Sequence, residues 1–221
     1  MKGMLSGLLA LTLGFALVPA GGSAQSLADF DYEYLSLRGL SLEWGYIWPT
    51  RVDPTYTVGT RIDLGYLGPG LRIVPGLTYW SSSMKQKEVR KLEERVGELI
   101  DPNSGYDPVA FGEIDWSDLV LSLDGHFVWS VPFDLLSFVG AGVSAHIMNG
   151  EGSAISGTFV EDLLDSFFAG VNFHAGLEYP VSDLFRVYGL GRYEILGDLR
   201  YMELRMGGQF MFGPSAPGEG R

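Results

Sequence analysis

Large apolar residues recur at every second position in eight stretches of the chain. In residues 40–48, Leu40, Leu42, Trp44, Tyr46 and Trp48 alternate with Ser41, Glu43, Gly45 and Ile47. Residues 56–66 set Tyr56, Val58, Thr60, Ile62, Leu64 and Tyr66 against Thr57, Gly59, Arg61, Asp63 and Gly65. A Gly68-Pro69-Gly70 turn then leads to Leu71, Ile73, Pro75, Leu77 and Tyr79, opposed by Arg72, Val74, Gly76, Thr78 and Trp80. Residues 118–129 place Leu119, Leu121, Leu123, Gly125, Phe127 and Trp129 on one parity and Asp118, Val120, Ser122, Asp124, His126 and Val128 on the other. The alternation continues through 139–147, 167–179 and 199–212. It is less clean in 185–195, where Tyr188 and Leu190 share a parity with Arg186, Arg192 and Glu194. A period of two puts alternate side chains on opposite faces of an extended strand, so the pattern predicts eight strands and an all-β fold.

Eight antiparallel strands can close into an up-and-down barrel in either of two senses. A soluble barrel turns the apolar parity inward, whereas a transmembrane barrel turns it outward to lipid. The less apolar parity carries Glu43, Arg61, Asp63, Arg72, Asp118, Asp124, Glu178, Arg192, Glu194, Glu203 and Arg205, with Gly59, Gly65, Gly140, Gly142, Gly170 and Gly176 between them. Three features favour the lipid-facing sense. Aromatics stand near the strand ends (Trp44, Tyr46, Trp48, Tyr66, Tyr79, Trp129, Tyr179, Phe210 and Phe212), where girdles at two membrane interfaces belong. Connections after the even strands are short, at 68–70, 130–134 and 180–183, while those after the odd strands include long insertions at 81–115 and 148–165. The alternating spans run ~9 to 13 residues, close to what a tilted strand needs to cross a bilayer.

Composition narrows the picture. At 221 residues with 46% hydrophobic content the chain fits one domain. Its net charge of −12 argues against nucleic acid as a partner, since phosphate contacts need clustered Lys and Arg. With no cysteine, disulfides and thiolate metal sites are excluded. Lys2, the apolar run Leu5 to Val18 and the small residues Gly22-Ser23-Ala24 read as a signal peptide spanning 1–24, cleaved before Gln25. Residues 25–39 then form a periplasmic lead-in, 40–212 the barrel and 213–221 a polar tail.

These features, with the segments "SFVGAGVSAH" and "LEYPVSDLFRVYGLGRYEI" and the Phe-ending last strand "LRMGGQFMF", resemble the small outer-membrane β-barrel proteins of Gram-negative bacteria, the group of OmpA-like and OmpX-like barrels. The resemblance spans about Leu40 to Phe212 and is one of pattern, not of a sharp motif. It implies an eight-stranded antiparallel transmembrane up-and-down barrel in the outer membrane, surrounded by outer-membrane lipid and lipopolysaccharide, monomeric and non-enzymatic. In that family a terminal aromatic is read by the barrel-assembly machinery, so Phe212 is expected to carry an insertion signal. Residues 213–221 depart from the pattern by following it.

Within such a barrel the charged parity faces a narrow lumen. Glu43, Asp63, Asp118, Asp124, Glu178, Glu194 and Glu203 would then meet Arg61, Arg72, Arg186, Arg192 and Arg205, with His126, His146 and His174 nearby. Charges in a poorly hydrated interior must pair, so a plugged lumen is expected and a pore is not. Motifs for other chemistry are weak. The three histidines are isolated in sequence, and interior histidines are commoner than ligands, so no metal or cofactor is expected. Ser144-x-His146 invites comparison with lipid A deacylases, but it falls on the inward parity and lacks an evident acid on a lipid-facing surface, so no catalytic residue is assigned. "DPNSGYD", residues 101–107, has a misplaced Gly105 and no bidentate Glu, which favours a solvated loop over a calcium loop.

One short helix is expected in the loop 81–115, over residues 84–100. Ser83 would cap it with Gln86, and Val89, Leu92, Val96 and Leu99 line its apolar face. The opposite face is densely charged, which makes this loop the candidate for an extracellular partner, against the simpler reading of a helix resting on the barrel rim. Two other classes stay open: a lipid-modifying enzyme, and an exported soluble lipocalin-like barrel with Leu121, Phe127, Val143 and Phe173 turned inward around an apolar ligand.

Overall fold

A computed structural model describes residues 35–99, 110–197 and 199–212. Its strands are β1 (Leu35–Pro49), β2 (Thr55–Gly68), β3 (Leu71–Ser83), β4 (Asp115–Val131), β5 (Leu135–Glu151), β6 (Ser166–Ser182), β7 (Phe185–Leu196) and β8 (Leu199–Met211). Helix α1 (Gln86–Leu99) lies between β3 and β4, and α2 (Phe159–Leu164) between β5 and β6. Each strand pairs antiparallel with the next, and β1 closes on β8 through pairs such as Leu40 with Phe210 and Trp44 with Met206. Closure leaves no sheet edge with unpaired amides. The first strand begins five residues ahead of the first clean alternation, with a register irregularity between Leu35 and Gly39.

The wall is inverted relative to a soluble barrel. Leu42 is 64% exposed on the outside, and Leu121, Phe127, Val143 and Phe173 also point outward, which removes the lipocalin-like alternative. Inside, Glu43, Arg72, Asp118, Glu178, Glu194 and Glu203 are buried. The mixed parity of β7 resolves the same way, because Tyr188 and Leu190 turn inward beside Arg186, Arg192 and Glu194.

Tyr66 departs from the expected girdle. The β2–β3 register slips between Arg61 and Tyr66, at Gly65 with φ +77°, whose N–H donates to Asp63 Oδ1 at 2.8 Å. An extra residue in a strand flips every side chain beyond it. Tyr66 is therefore buried, with the Arg38 guanidinium 5.2 Å from its ring centroid. The other girdle aromatics stay on the outer surface, Tyr46 and Trp129 half-buried and the rest exposed.

The two ends of the barrel differ. One carries short turns: Pro69-Gly70, where Gly70 has the φ of +79° that a turn with Pro at its first corner favours, residues 132–134, and 183–184. The other end carries both helices. There Val89 and Val96 of α1 join Ile47, Trp80, Trp116, Val120, Met148 and Tyr201 of the wall, with Ile155, Val160 and Leu164 from the β5–β6 connection, in one apolar cluster. A second cluster of Tyr66, Val128, Leu136, Phe138, Tyr188 and Leu190 lies toward the short-turn end.

Helix α1 starts at Gln86, and Ser83 does not cap it. Ser83 pairs with Asp115 at the end of β3, and its hydroxyl donates to Asp115 Oδ1 at 2.7 Å and to Glu113 Oε1 at 3.1 Å. The Lys85 carbonyl instead accepts from the amides of Glu88 and Val89. Lys85 Nζ donates to the carbonyls of Pro49 and Thr50, tying the helix to the β1–β2 connection. The second helix, α2, has no strong periodic signal in the sequence; Thr158 caps it, accepting from Val160 N at 3.3 Å. No helix among the described residues is long and apolar enough to cross a membrane, which says nothing of crossing by strands. The signal-peptide, tail and 101–107 expectations fall on residues outside those described.

Candidate functional site: the charged interior

The inward parity of the eight strands delivers its charges into three connected groups. Arg205 of β8 donates to Glu203 through Nε at 3.0 Å and through Nη2 at 2.7 Å, and also donates to Glu43 on the adjacent β1. Glu203 accepts from the Thr57 hydroxyl at 2.7 Å, and Glu43 from the Tyr188 hydroxyl at 2.8 Å. Arg61 completes this group, with Nε 2.9 Å from Glu43 Oε2 and its guanidinium 4.1 Å from the Tyr188 ring centroid. Side chains of three strands, β2, β7 and β8, thus saturate two carboxylates. That is what burial requires, since an unpartnered buried charge costs several kcal/mol.

Toward the short-turn end, Arg72 donates to both oxygens of Glu178, one of them at 2.9 Å, and through Nη2 to His126 Nδ1 at 3.0 Å. His126 stacks on Phe138, with ring centroids 4.7 Å apart. Asp63 accepts from Gln209 Nε2 at 3.0 Å and lies 3.7 Å from Arg72. The third group centres on Arg192, which donates to Asp124 at 2.9 Å and to Glu194 at 2.8 Å. Glycines make room for these side chains. A Cβ on Gly142 would stand 2.0 Å from Asp124 Oδ1, and one on Gly140 2.2 Å from His174 Nε2.

The structure supplies the acid that the Ser144-x-His146 reading lacked. His146 Nδ1 is 2.7 Å from Asp118 Oδ2, and its Nε2 is 3.0 Å from Ser144 Oγ. These are the contacts of a nucleophile–base–acid triad. Two features argue against catalysis. Ser144 donates its only hydroxyl proton to Glu194 at 2.5 Å, so His146 is not positioned to take it. Asp118 and His146 are fully buried, inside the wall and not on its outer surface.

Two of the three histidines also meet, although sequence spacing had left them isolated. Asp124, His126 and His174 each present a ligand-type atom within 4.8 Å of the others. Their hydrogen bonds decide what this trio can hold. Arginine only donates, so His126 Nδ1 accepts from Arg72 and the ring's proton sits on Nε2. Asn172 donates Nδ2 to Asp124 at 3.0 Å and presents its carbonyl to His174 Nδ1 at 2.8 Å, which leaves the His174 Nε2 lone pair free. A transition metal needs lone pairs on both rings. The trio offers one, beside a carboxylate already paired with Arg192, so these residues do not fit a three-ligand metal site. They form a hydrogen-bond donor facing two acceptors.

Outside the wall, α1 carries the charged face expected of it. Lys91 donates to Glu88 at 2.9 Å, and this bond holds the Glu88 carboxyl below the usual carboxylate range. Glu93 accepts from the Phe111 amide at 2.8 Å, pinning the end of the loop back onto the helix.

A closed eight-stranded antiparallel up-and-down barrel with a charged interior and an apolar exterior is thereby defined, the fold of the small outer-membrane barrels. Neisserial surface protein A shares it, with a TM-score of 0.52 at 14% identity over 79% of this chain and 97% of that one. The N-terminal barrel domain of Pseudomonas aeruginosa OprF gives 0.49 at 14% identity over 79% and 97%, and Ail, the attachment invasion locus protein of Yersinia pestis, 0.46 at 10% identity over 80% and 100%. No protein-family model matches the sequence, and no curated protein matches it.

Proposed function

We propose that this chain is an integral outer-membrane protein without enzymatic activity, a scaffold that holds two long connections at one end of a lumen plugged by its own charges. The observation that carries this is the inversion of the wall: leucines, valines and aromatics stand exposed outside while carboxylates and arginines are buried inside. In water this distribution is unfavourable on both faces, since apolar surface is left hydrated and charge is desolvated. In a bilayer the outer face meets hydrocarbon, and strands of 12 to 17 residues exceed the ~9–11 that a tilted strand needs to span it. Saturated carboxylates between two apolar clusters support the plugged lumen. The N-terminal sequence supports export, and the terminal aromatic supports recognition by the barrel-assembly machinery. Outer-membrane lipid and lipopolysaccharide then surround a monomer, and the loop carrying α1 is the surface offered to an extracellular partner.

Fractionation tests the membrane reading. The protein should stay with outer membranes through high-salt and carbonate washes and migrate differently on gels before and after boiling. Release into the soluble fraction by either wash would overturn it.

A further inference from the structure

A cavity of about 110 Å³ opens under α1, between the helix, the β1–β2 connection and α2. Its charged lining is Arg51, Lys91 and Arg95 with the single carboxylate of Glu88, on a chain whose net charge is −12. Glu88 is already taken by Lys91 at 2.9 Å. Arg95 is exposed and makes no ion pair with any described residue. The floor is Met84, Leu92, Trp116 and Leu164, and the indole N–H of Trp116 is spent on the Leu164 carbonyl at 3.3 Å, so the floor presents hydrocarbon and an aromatic face.

These two surfaces select an occupant with two parts. A cation would be repelled by the rim. A neutral alkane would leave the Arg95 guanidinium unpaired, and a bare inorganic anion would leave the apolar floor wet. We propose that this cavity binds an amphiphilic anion, an alkyl chain on the Met84, Trp116 and Leu164 floor with a phosphate-type head group against Arg95, Lys91 and Arg51. Guanidinium and ammonium donors suit such oxygens, and the attraction is screened by salt. The inference goes beyond the scaffold reading and stands whether or not the lumen conducts.

Butyl phosphate, too short to partition strongly into micelles, is the probe for calorimetric titration of the purified protein in a nonionic detergent. We expect saturable one-to-one binding, weakened by salt, with inorganic phosphate about tenfold weaker and butyltrimethylammonium giving no saturable heat. Arg95→Glu should weaken butyl phosphate by about tenfold or more. Arg90→Glu, an equal charge change on the same helix away from the cavity, should leave it unchanged. Heat-dependent gel mobility reports that each variant is folded. In vesicles, loss of butyl phosphate binding on adding an anionic phospholipid to a zwitterionic one assigns the site to a membrane head group; retained binding assigns it to a free ligand. Inorganic phosphate binding as tightly as butyl phosphate, or Arg95→Glu and Arg90→Glu acting alike, would overturn the proposal.

Discussion

Replacing Arg205 by Met separates a dry, plugged lumen from a hydrated one. Arg205 supplies two of the hydrogen bonds to Glu203, and without them that carboxylate keeps only the Thr57 hydroxyl at 2.7 Å. Glu43 loses one donor but retains Arg61 at 2.9 Å and Tyr188 at 2.8 Å. Glu203 is 1% exposed, so the orphaned charge falls chiefly on it. Removing one partner of a buried pair costs about 3–5 kcal/mol, against ~0–1 kcal/mol for a solvated pair. Urea titration of refolding into lipid vesicles measures the difference. Arg205→Met should sit at the larger figure, and Arg205→Met with Glu203→Gln should recover at least about half of it, because the neutral amide removes the stranded charge. A single-variant cost below about 1 kcal/mol would mean that water reaches Glu203, and the plugged lumen would be refuted.

Three further outcomes follow from the wall and its ends. Leu121→Arg, on the outer face and paired with Leu77 and Ala145, should destabilise the inserted barrel by ~2–4 kcal/mol if it sits at mid-depth, while Ser122→Arg on the inner parity should act through crowding instead. Unchanged insertion of Leu121→Arg in a protein that stays in the membrane would reverse the parity assignment. In planar bilayers the purified protein should give no steady conductance of porin size, and reproducible large openings would overturn the proposed plugged lumen. Phe212→Asp should refold in detergent within about 0–1 kcal/mol of the parent, because the strand end is shallow, yet reach the outer membrane of cells in sharply reduced amount; normal cellular insertion would remove the signal role of Phe212.

Strand identity and facing were legible because they depend only on neighbours in sequence. A two-residue period survives any arrangement of the loops, so Leu42, Leu121 and Phe173 could be placed outside, and Glu43, Asp124 and Glu194 inside, before any pairing was known. The period fails where the backbone inserts a residue. Gly65 looks like the other inward glycines of the chain, and only the register slip reveals that it carries a bulge and turns Tyr66 into the lumen. The helix start failed for a related reason. Ser83 has the residue type and spacing of a cap, but ladder pairing with Asp115 claims it first, and tertiary pairing outweighs a local capping preference.

Which inward side chains touch was not legible at all, because contact depends on register, and register depends on connections as different as Pro69-Gly70 and residues 84–114. Pairing Val120 with His146 brings Asp118 diagonally within reach of the imidazole, and pairing Gly140 with both His126 and His174 brings those two rings face to edge. Each contact resembles a piece of chemistry, a triad in one case and a metal site in the other. Each loses that character once the remaining hydrogen bonds are counted, for Glu194 holds the Ser144 proton and Arg72 fixes the wrong nitrogen of His126 for a metal. The same neighbours that withhold catalysis and metal binding satisfy groups that the barrel must bury. A side-chain constellation inside a narrow wall therefore has to be judged by its unspent donors and lone pairs. By that measure Arg95, over the cavity beneath α1, keeps donors that no described residue uses, unlike the arginines of the charged interior.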